Sequence, residues 1–149
     1  MTAALPDLDG VCNCLAARKA ARYLTAAYDK ALAPASLRIT QFTVLNKLAR
    51  LGPMTIKRLA AAMAMDRTTL ATNLKPLERD GLLVTAAAKD RRATAIEITE
   101  AGKAKLEEAI PLWILAQGQF EASYGGVAAS KLRSALGRVL EAGLNPWAE

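Results

Sequence analysis

The apolar residues in the first third of the chain follow helical spacing. Residues 11–32 contain no Gly or Pro and are rich in Ala, Leu and Arg, which predicts a first helix that ends before the segment ALAPAS. Thr40 is expected to cap a second helix, because a threonine oxygen can accept a hydrogen bond from the first turn. Gly52-Pro53 should stop this helix, whose apolar stripe consists of Phe42, Leu45, Leu48 and Ala49.

The pattern that follows predicts a short strand and two closely spaced helices. Met54 is expected in the strand, and Thr55 is expected to cap the third helix, with Ile56, Leu59 and Met63 on one face. After the tight break AMD, Asp66 is expected to cap a fourth helix, RTTLATNLKPLER, with Gly81 just past its end.

The fourth helix is predicted to have two different faces. Its apolar stripe consists of Leu70, Leu74 and Leu77, and its opposite, polar face consists of Thr68, Thr72, Lys75 and Arg79. Pro76 removes a backbone hydrogen bond inside this helix, so we expect a kink or an irregular last turn there.

Period-two alternation replaces the helical pattern in the next segment. The runs LLVTAAA and ATAIEIT flank the charged sequence KDRR, which predicts a β-hairpin with a basic tip. From Thr99 the helical pattern returns as one long helix to about Tyr124, with Pro111 as a second place for a kink. Two glycines break it, and Ser130 is expected to cap a final helix through about Ala142.

Composition limits the class of protein. The 149 residues are 52% hydrophobic, much of it alanine, and fit one core with an appended oligomerisation element, mainly α-helical. The chain has no histidine, and its two cysteines cannot fill a four-ligand zinc site. Phosphate-binding and nucleophile-elbow motifs are also missing from the sequence, so we expect no enzyme activity, no metal and no cofactor.

The location of the protein is also predicted from composition. No run approaches the roughly 20 apolar residues of a membrane span. The first residues, MTAALPDLDG, carry acids where a signal peptide carries lysines. We therefore expect a cytoplasmic protein.

Positive charge is concentrated in one part of the chain. The formal net charge is +6, and residues 50–92, with nine Lys or Arg and four acids, account for +5 of it. This stretch contains the polar helix face and the hairpin, which indicates a polyanionic partner.

The order helix, strand, helix, turn, capped helix and basic hairpin is that of a winged helix-turn-helix, so the fold class is mainly α with a small β-hairpin wing. A helix in this arrangement reads base edges in the major groove of DNA, and the hairpin reaches the minor groove. Thr68 and Thr72 suit base edges, whereas Lys75 and Arg79 can reach phosphates. The complete set of predicted DNA-binding residues is Arg67, Thr68, Thr69, Thr72, Lys75, Arg79, Lys89, Asp90, Arg91 and Arg92.

The chain contains the motifs LERDGL at residues 77–82, DRR at residues 90–92 and TEAG at residues 99–102. These three motifs resemble those of the MarR family of bacterial transcriptional regulators. By this resemblance Arg92 enters the minor groove and Asp90 holds the wing in place. The resemblance also implies a homodimer, with residues 40–102 as the DNA-binding domain and residues 1–39 and 103–149 as the dimerisation regions.

The resemblance implies a repressor that leaves a pseudo-palindromic double-stranded operator when a small phenolic or aromatic ligand binds. Tyr23, Tyr28, Arg22 and Trp113 are candidates for lining that ligand pocket, and each is also a candidate for the core or the surface. Two other classes stay open from the residues alone. A single-strand or non-specific nucleic-acid binder is disfavoured by 5% aromatic residues, and a small hydrolase by the lack of a nucleophile–base pair.

The only two cysteines, Cys12 and Cys14, stand at the start of the predicted first helix. Two residues on a helix are separated by 200°, so the two thiols are not expected to bond to each other. A branch of the MarR family senses organic hydroperoxides through a cysteine at this position. In that branch, tyrosines of the partner subunit hydrogen-bond to the cysteine. Cys14 matches the cysteine and Tyr28 matches one of these tyrosines, but Ile39 replaces a second one. Arg18 would have to stabilise the thiolate instead, and an inert interface thiol is the alternative.

Overall fold

Helices dominate the structure, a computed structural model that describes residues 3–87 and 94–148. The helices are α1 (Leu8–Val11), α2 (Asn13–Leu32), α3 (Ile39–Leu51), α4 (Ile56–Ala62), α5 (Arg67–Arg79), α6 (Glu100–Tyr124) and α7 (Gly126–Val139), with a 3-10 turn at Ala33–Ala35. The strands are β1 (Met54–Thr55), β2 (Leu83–Ala87) and β3 (Thr94–Ile98). The predicted order of helices and strands is confirmed.

The three strands form one antiparallel sheet in the order β1-β3-β2. Strands β2 and β3 are the predicted hairpin, with Leu83 opposite Ile98 and Thr85 opposite Ile96. Strand β1 joins the other edge of β3, with Met54 opposite Ile96. This third strand ties the wing to the chain that enters α4.

The hydrophobic core lies inside the winged helix-turn-helix and beneath the first half of α6. The apolar stripe of α5 is fully buried, as predicted, and it meets α3, α4 and the sheet. Helix α6 contributes Leu106 and Ala109 to this core, and Trp113 packs at its edge with its ring stacked on Phe42, the centroids 6.1 Å apart. The long helix is therefore anchored to the winged domain at its N-terminal end.

Three predicted helix starts are wrong. Helix α3 begins at Ile39 rather than after Thr40, since the Asp29 carboxylate accepts the Ile39 N–H at 2.7 Å. Helix α7 begins at Gly126 and ends at Val139, so Ser130 lies inside it rather than capping it. The N-terminal helix is divided at Cys12, which is extended and separates α1 from α2.

No helix within residues 3–87 and 94–148 is both long and apolar enough to cross a lipid bilayer.

Candidate nucleic-acid interface

Helix α5 starts with a strong cap. Asp66 accepts hydrogen bonds from both the N–H of Thr69, at 2.9 Å, and the hydroxyl of Thr69, at 2.6 Å. These bonds favour the charged carboxylate and lower the pKa of Asp66, with the hydroxyl bond as the largest cause. Thr69, which was predicted to contact DNA, is thus used in the cap.

The two faces of α5 are confirmed. Leu70, Leu74 and Leu77 are buried, and the predicted polar residues Arg67, Thr68, Thr72, Lys75 and Arg79 are exposed. The Thr72 hydroxyl donates to the Thr68 carbonyl at 3.1 Å. Arg79 and Asp80 form an ion pair at 3.7 Å that is exposed and therefore weak. The structure thus presents a continuous polar surface along the whole length of this helix.

Pro76 does not interrupt α5, which continues to Arg79. Proline lacks an N–H, so it cannot donate to the carbonyl of Thr72 one turn earlier. Its own carbonyl accepts the N–H of Asp80 at 3.0 Å, which completes the last turn. Pro76 therefore lies where the helix is about to end.

The LERDGL motif ends α5 and starts the wing. Gly81 has φ +73°, and the N–H of Leu82 donates to the carbonyl of Leu77 at 2.9 Å, as in a Schellman cap. Glu78 in turn accepts a hydrogen bond from the hydroxyl of Thr85 on β2, at 2.7 Å. The motif therefore connects α5 to the hairpin.

The TEAG motif closes the same corner from the other side. Thr99 caps α6 by accepting the N–H of Gly102 at 3.0 Å, and its hydroxyl donates to the Gly81 carbonyl at 2.6 Å. A Cβ atom on Gly102 would lie 2.3 Å from the Leu82 carbonyl oxygen, so only glycine fits there. The spacing of residues in this motif does not by itself predict these contacts.

A groove of about 650 Å³ separates α5 from the wing. Its lining includes the basic residues Lys57, Arg67 and Lys75, the acid Glu78, and Thr85 and Thr94 from the two wing strands. The predicted wing-tip residues Lys89, Asp90, Arg91 and Arg92 lie outside the described residues. Three cations at one groove beside an exposed helix form a surface suited to the phosphate backbone.

A second cavity, of about 310 Å³, lies between α2, α6 and α7. Tyr28 and Trp113 line it, together with Phe120 and Arg133. Of the other predicted pocket residues, Arg22 lines a separate shallow groove on α2, and Tyr23 is 76% exposed. The structure thus brings together two of the four predicted residues.

A chain of polar contacts crosses this cavity. The Tyr28 hydroxyl donates to Gln117, Gln117 donates to Glu121 at 3.2 Å, and Arg133 donates to Glu121 at 3.3 Å. Burial raises the pKa of Tyr28 and nearby Glu121 adds to this, while Arg133 opposes it. Three helices are therefore linked through Glu121, a role that the sequence pattern did not indicate.

The two cysteines have different environments. Cys12 is half-buried and caps α2, its sulfur accepting the N–H of Leu15 at 3.4 Å, whereas Cys14 lies in the helix and is exposed. Because Cys12 is not helical, the 200° separation used to exclude a bond between them does not apply. Cys14 and Tyr28 are fourteen residues apart on α2, about 21 Å, so one chain cannot bring them into contact.

Known proteins resemble this chain in sequence and structure. Residues 37–102 match the family model of a winged helix DNA-binding domain. The M. tuberculosis transcriptional regulator MosR, solved in complex with DNA, is 40% identical, with a TM-score of 0.78 over 89% of this chain and 98% of that one. A MarR-family transcriptional regulator from Rhodococcus sp. RHA1 has the same fold, with a TM-score of 0.74 and 24% identity over 93% of this chain and 96% of that one.

A curated sequence relative gives the same general picture. The HTH-type transcriptional regulator YwoH of Bacillus subtilis is 28% identical over 60% of this chain. The match spans 66% of the length of that relative.

Proposed function

The chain belongs to the MarR family of winged-helix transcriptional regulators, and from this premise we propose how it works. It binds a pseudo-palindromic operator as a homodimer, represses transcription by occupying the promoter, and leaves when a small aromatic anion binds. Helix α5 enters the major groove, where Thr68 and Thr72 contact base edges. Lys75 and Arg79 contact phosphates, and Arg91 and Arg92 serve the wing.

The observation that carries this proposal is the exposed polar face of α5. Its cap is fixed by Asp66, its apolar face is held by the core, and its C-terminal end is joined to the wing. A rigid helix with one polar face beside a basic groove can dock in DNA without reorganising.

Exposed apolar side chains support a homodimer. Of the large hydrophobic residues that are exposed in the described chain, all but Leu51 and Val84 lie outside residues 40–102. Examples are Ile114, Leu115 and Val139 on α6 and α7. Covering these helices with a second copy would remove them from water and would set two α5 helices about one DNA turn apart.

Gel-shift titration with duplex and single-stranded probes of the same sequence tests DNA recognition. We expect binding to the duplex only, with affinity that falls steeply as salt increases. Arg92→Ala should weaken operator binding by about 1–3 kcal/mol, because a minor-groove contact is lost, without changing the melting temperature or the dimer. Equal affinity for single strands, or unchanged binding by Arg92→Ala, would contradict this mechanism.

The cavity between α2, α6 and α7 is the proposed effector site. Trp113 and Phe120 offer aromatic surfaces to a ring, and Arg133 can exchange its Glu121 partner for a ligand carboxylate. Using 4-hydroxybenzoate as the probe, we expect a rise in melting temperature and release from DNA. Arg133→Gln should abolish both effects, whereas Arg138→Gln, also on α7 but outside the cavity lining, should keep them. A response that Arg133→Gln leaves intact would place the effector elsewhere.

Oxidation is the second proposed signal, supported by the exposed sulfur of Cys14. Operator binding is measured with and without cumene hydroperoxide for the wild type, Cys14→Ser and Cys12→Ser. Release in the wild type but not in Cys14→Ser is expected for a sensor. Indifference of all three proteins would contradict a redox role.

A further inference from the structure

One acid lies among the bases of the groove between α5 and the wing. Glu78 lines this groove together with Lys57, Arg67 and Lys75, and it is the one acid among the described lining residues. A carboxylate there repels phosphates, so on charge alone Glu78 disfavours DNA binding. Glu78 forms no ion pair with any residue in the described part of the chain.

We propose that Glu78 is a positioning residue that sets the angle between the recognition helix and the wing by accepting the hydrogen bond from Thr85. The distance from the Thr85 Oγ1 to the Glu78 Oε1 is 2.7 Å, and a hydroxyl bound to a charged carboxylate forms one of the stronger kinds of hydrogen bond. This inference rests on the operator binding proposed above.

Three sets of contacts fix the direction of the hairpin. The first is at its base, where the Thr99 hydroxyl donates to the Gly81 carbonyl and the Thr99 N–H donates to the Leu82 carbonyl at 3.1 Å. The second is the backbone pairing of β1 with β3, which ties the far edge of the sheet to the chain that enters α4. The third is Thr85, three residues along β2 and therefore about 10 Å from Leu82, where the Glu78 bond joins β2 to α5 through a side chain.

The orientation of β2 matters because it determines where the wing meets the duplex. A small change of angle at Thr85 is enlarged with distance along the hairpin. Loss of the bond should therefore weaken the contribution of the wing to binding and leave the contribution of α5 intact.

Thr85→Val is the central variant, because it removes the hydroxyl, keeps the shape and suits a strand. We expect about threefold to tenfold weaker operator binding, the range for one hydrogen bond. Thr85→Ser keeps the hydroxyl and should bind like the wild type. Thr94→Val is the matched control, since Thr94 lines the same groove and its side chain makes no hydrogen bond within the described residues.

A double-mutant cycle with Arg92→Ala distinguishes positioning from a general structural role. If Glu78 acts through the wing, adding Thr85→Val to the Arg92→Ala variant should weaken operator binding only slightly further. A second cycle, Glu78→Ala with Thr85→Val, cancels the effect of removing an acid near DNA and should show positive coupling.

Three results would overturn the proposal. These are wild-type affinity of Thr85→Val, an equal loss for Thr94→Val, and full additivity with Arg92→Ala. Failure of the wild type to bind any duplex would instead overturn the proposed function, so the two failures are distinguishable. Melting temperatures of all variants establish that each is folded.

Discussion

The winged helix-turn-helix and the helices α1, α6 and α7 differ in how much apolar side-chain surface they expose to solvent. The winged part buries most of its Leu and Ile side chains in a core that Leu32, Leu106 and Ala109 complete, and α5 begins with a side-chain cap and ends with a glycine cap. Helix α7 buries only Ala129 and exposes Val127, Leu136 and Val139. One region buries its apolar side chains within a single chain, and the other leaves many of them exposed.

This difference separates two tasks that a regulator must perform. In the proposed mechanism the DNA-binding surface needs fixed geometry, and α5 and the wing are joined by the hydrogen bond between Thr85 and Glu78. The proposed effector site is the Tyr28 cavity, where Gln117 and Arg133 both donate to Glu121, and a ligand would act there by favouring one arrangement of the helices.

The largest effect is expected where the two regions meet, at Gly102. Gly102→Ala places a Cβ against the Leu82 carbonyl and the Ile98 side chain, and we expect about 2–4 kcal/mol of destabilisation, measured by chemical denaturation. A Cβ atom added at Gly118, in the same helix, would have no neighbouring atom within 4 Å. Gly118→Ala should therefore stabilise the folded protein by about 0.5–1 kcal/mol. A mild effect at Gly102 would mean that the corner between wing and α6 is not tightly packed.

The second prediction tests whether the exposed helices meet a second copy. Val139→Glu puts a charge on α7 at a residue that is 65% exposed in the single chain. If a partner covers it, the dimer should dissociate at least about tenfold more easily, because the charge would be buried unpaired. Analytical ultracentrifugation measures this.

Leu51→Glu on α3 is the matched control, since Leu51 is similarly exposed but lies in the winged part. It should leave the dimer unchanged. Equal dimer stability of Val139→Glu and the wild type would contradict the division into regions.

A smaller effect on DNA affinity is expected when a single lysine is removed, and it should differ between the two regions. Lys75→Ala should reduce the slope of log affinity against log salt by about 0.9, because one phosphate contact is lost. Lys30→Ala, also exposed but on α2, should leave the slope unchanged. Gel shifts at several salt concentrations measure the slope for each variant. Equal slopes for both variants would mean that Lys75 does not contact a phosphate.

The smallest effect concerns the cap of α5 and depends on pH. The pKa of the Asp66 carboxyl is lower in the folded protein than its ordinary value of 3.8, so its contribution to stability is complete above that value. It is lost as the pH falls through the lower, folded value. The stability difference between the wild type and Asp66→Asn should therefore shrink between about pH 5 and pH 3.

Thermal melting across this range measures the change. Asp80→Asn, at the other end of α5, corrects for the general effect of removing one carboxylate. A difference that does not change with pH would mean that the cap does not depend on the charge of Asp66.

Local signals in the sequence were sufficient for most of the winged fold. Thr55 and Asp66 each cap the helix that they were predicted to cap, because the accepting oxygen and the donating N–H are three residues apart. The predicted caps Thr40 and Ser130 were wrong, because the start of each of these two helices is set by residues other than the predicted cap. At α3 the cap comes from Asp29, ten residues away, and at α7 the glycine break itself starts the helix.

The candidate sites were predicted unevenly. The exposed face of α5 follows from periodicity and is confirmed, although its contacts with DNA stay a prediction. Of the four candidates for the ligand pocket, only Tyr28 and Trp113 line one cavity. Tyr23 is exposed on α2, and Arg22 lines a separate groove on the same helix. Gln117 and Arg133 had no signal, since their significance depends on distances between helices.

The sequence by itself determined the succession of helices and strands, the two faces of α5 and the location of the positive charge. These depend on spacing along the chain, which the sequence states directly. Only the tertiary structure decided that LERDGL and TEAG meet at one corner, that Glu78 holds Thr85, and that Cys12 lies outside the helix. Each of these depends on contacts between residues or on a local break that no periodicity encodes, so the packed chain was needed to reveal them.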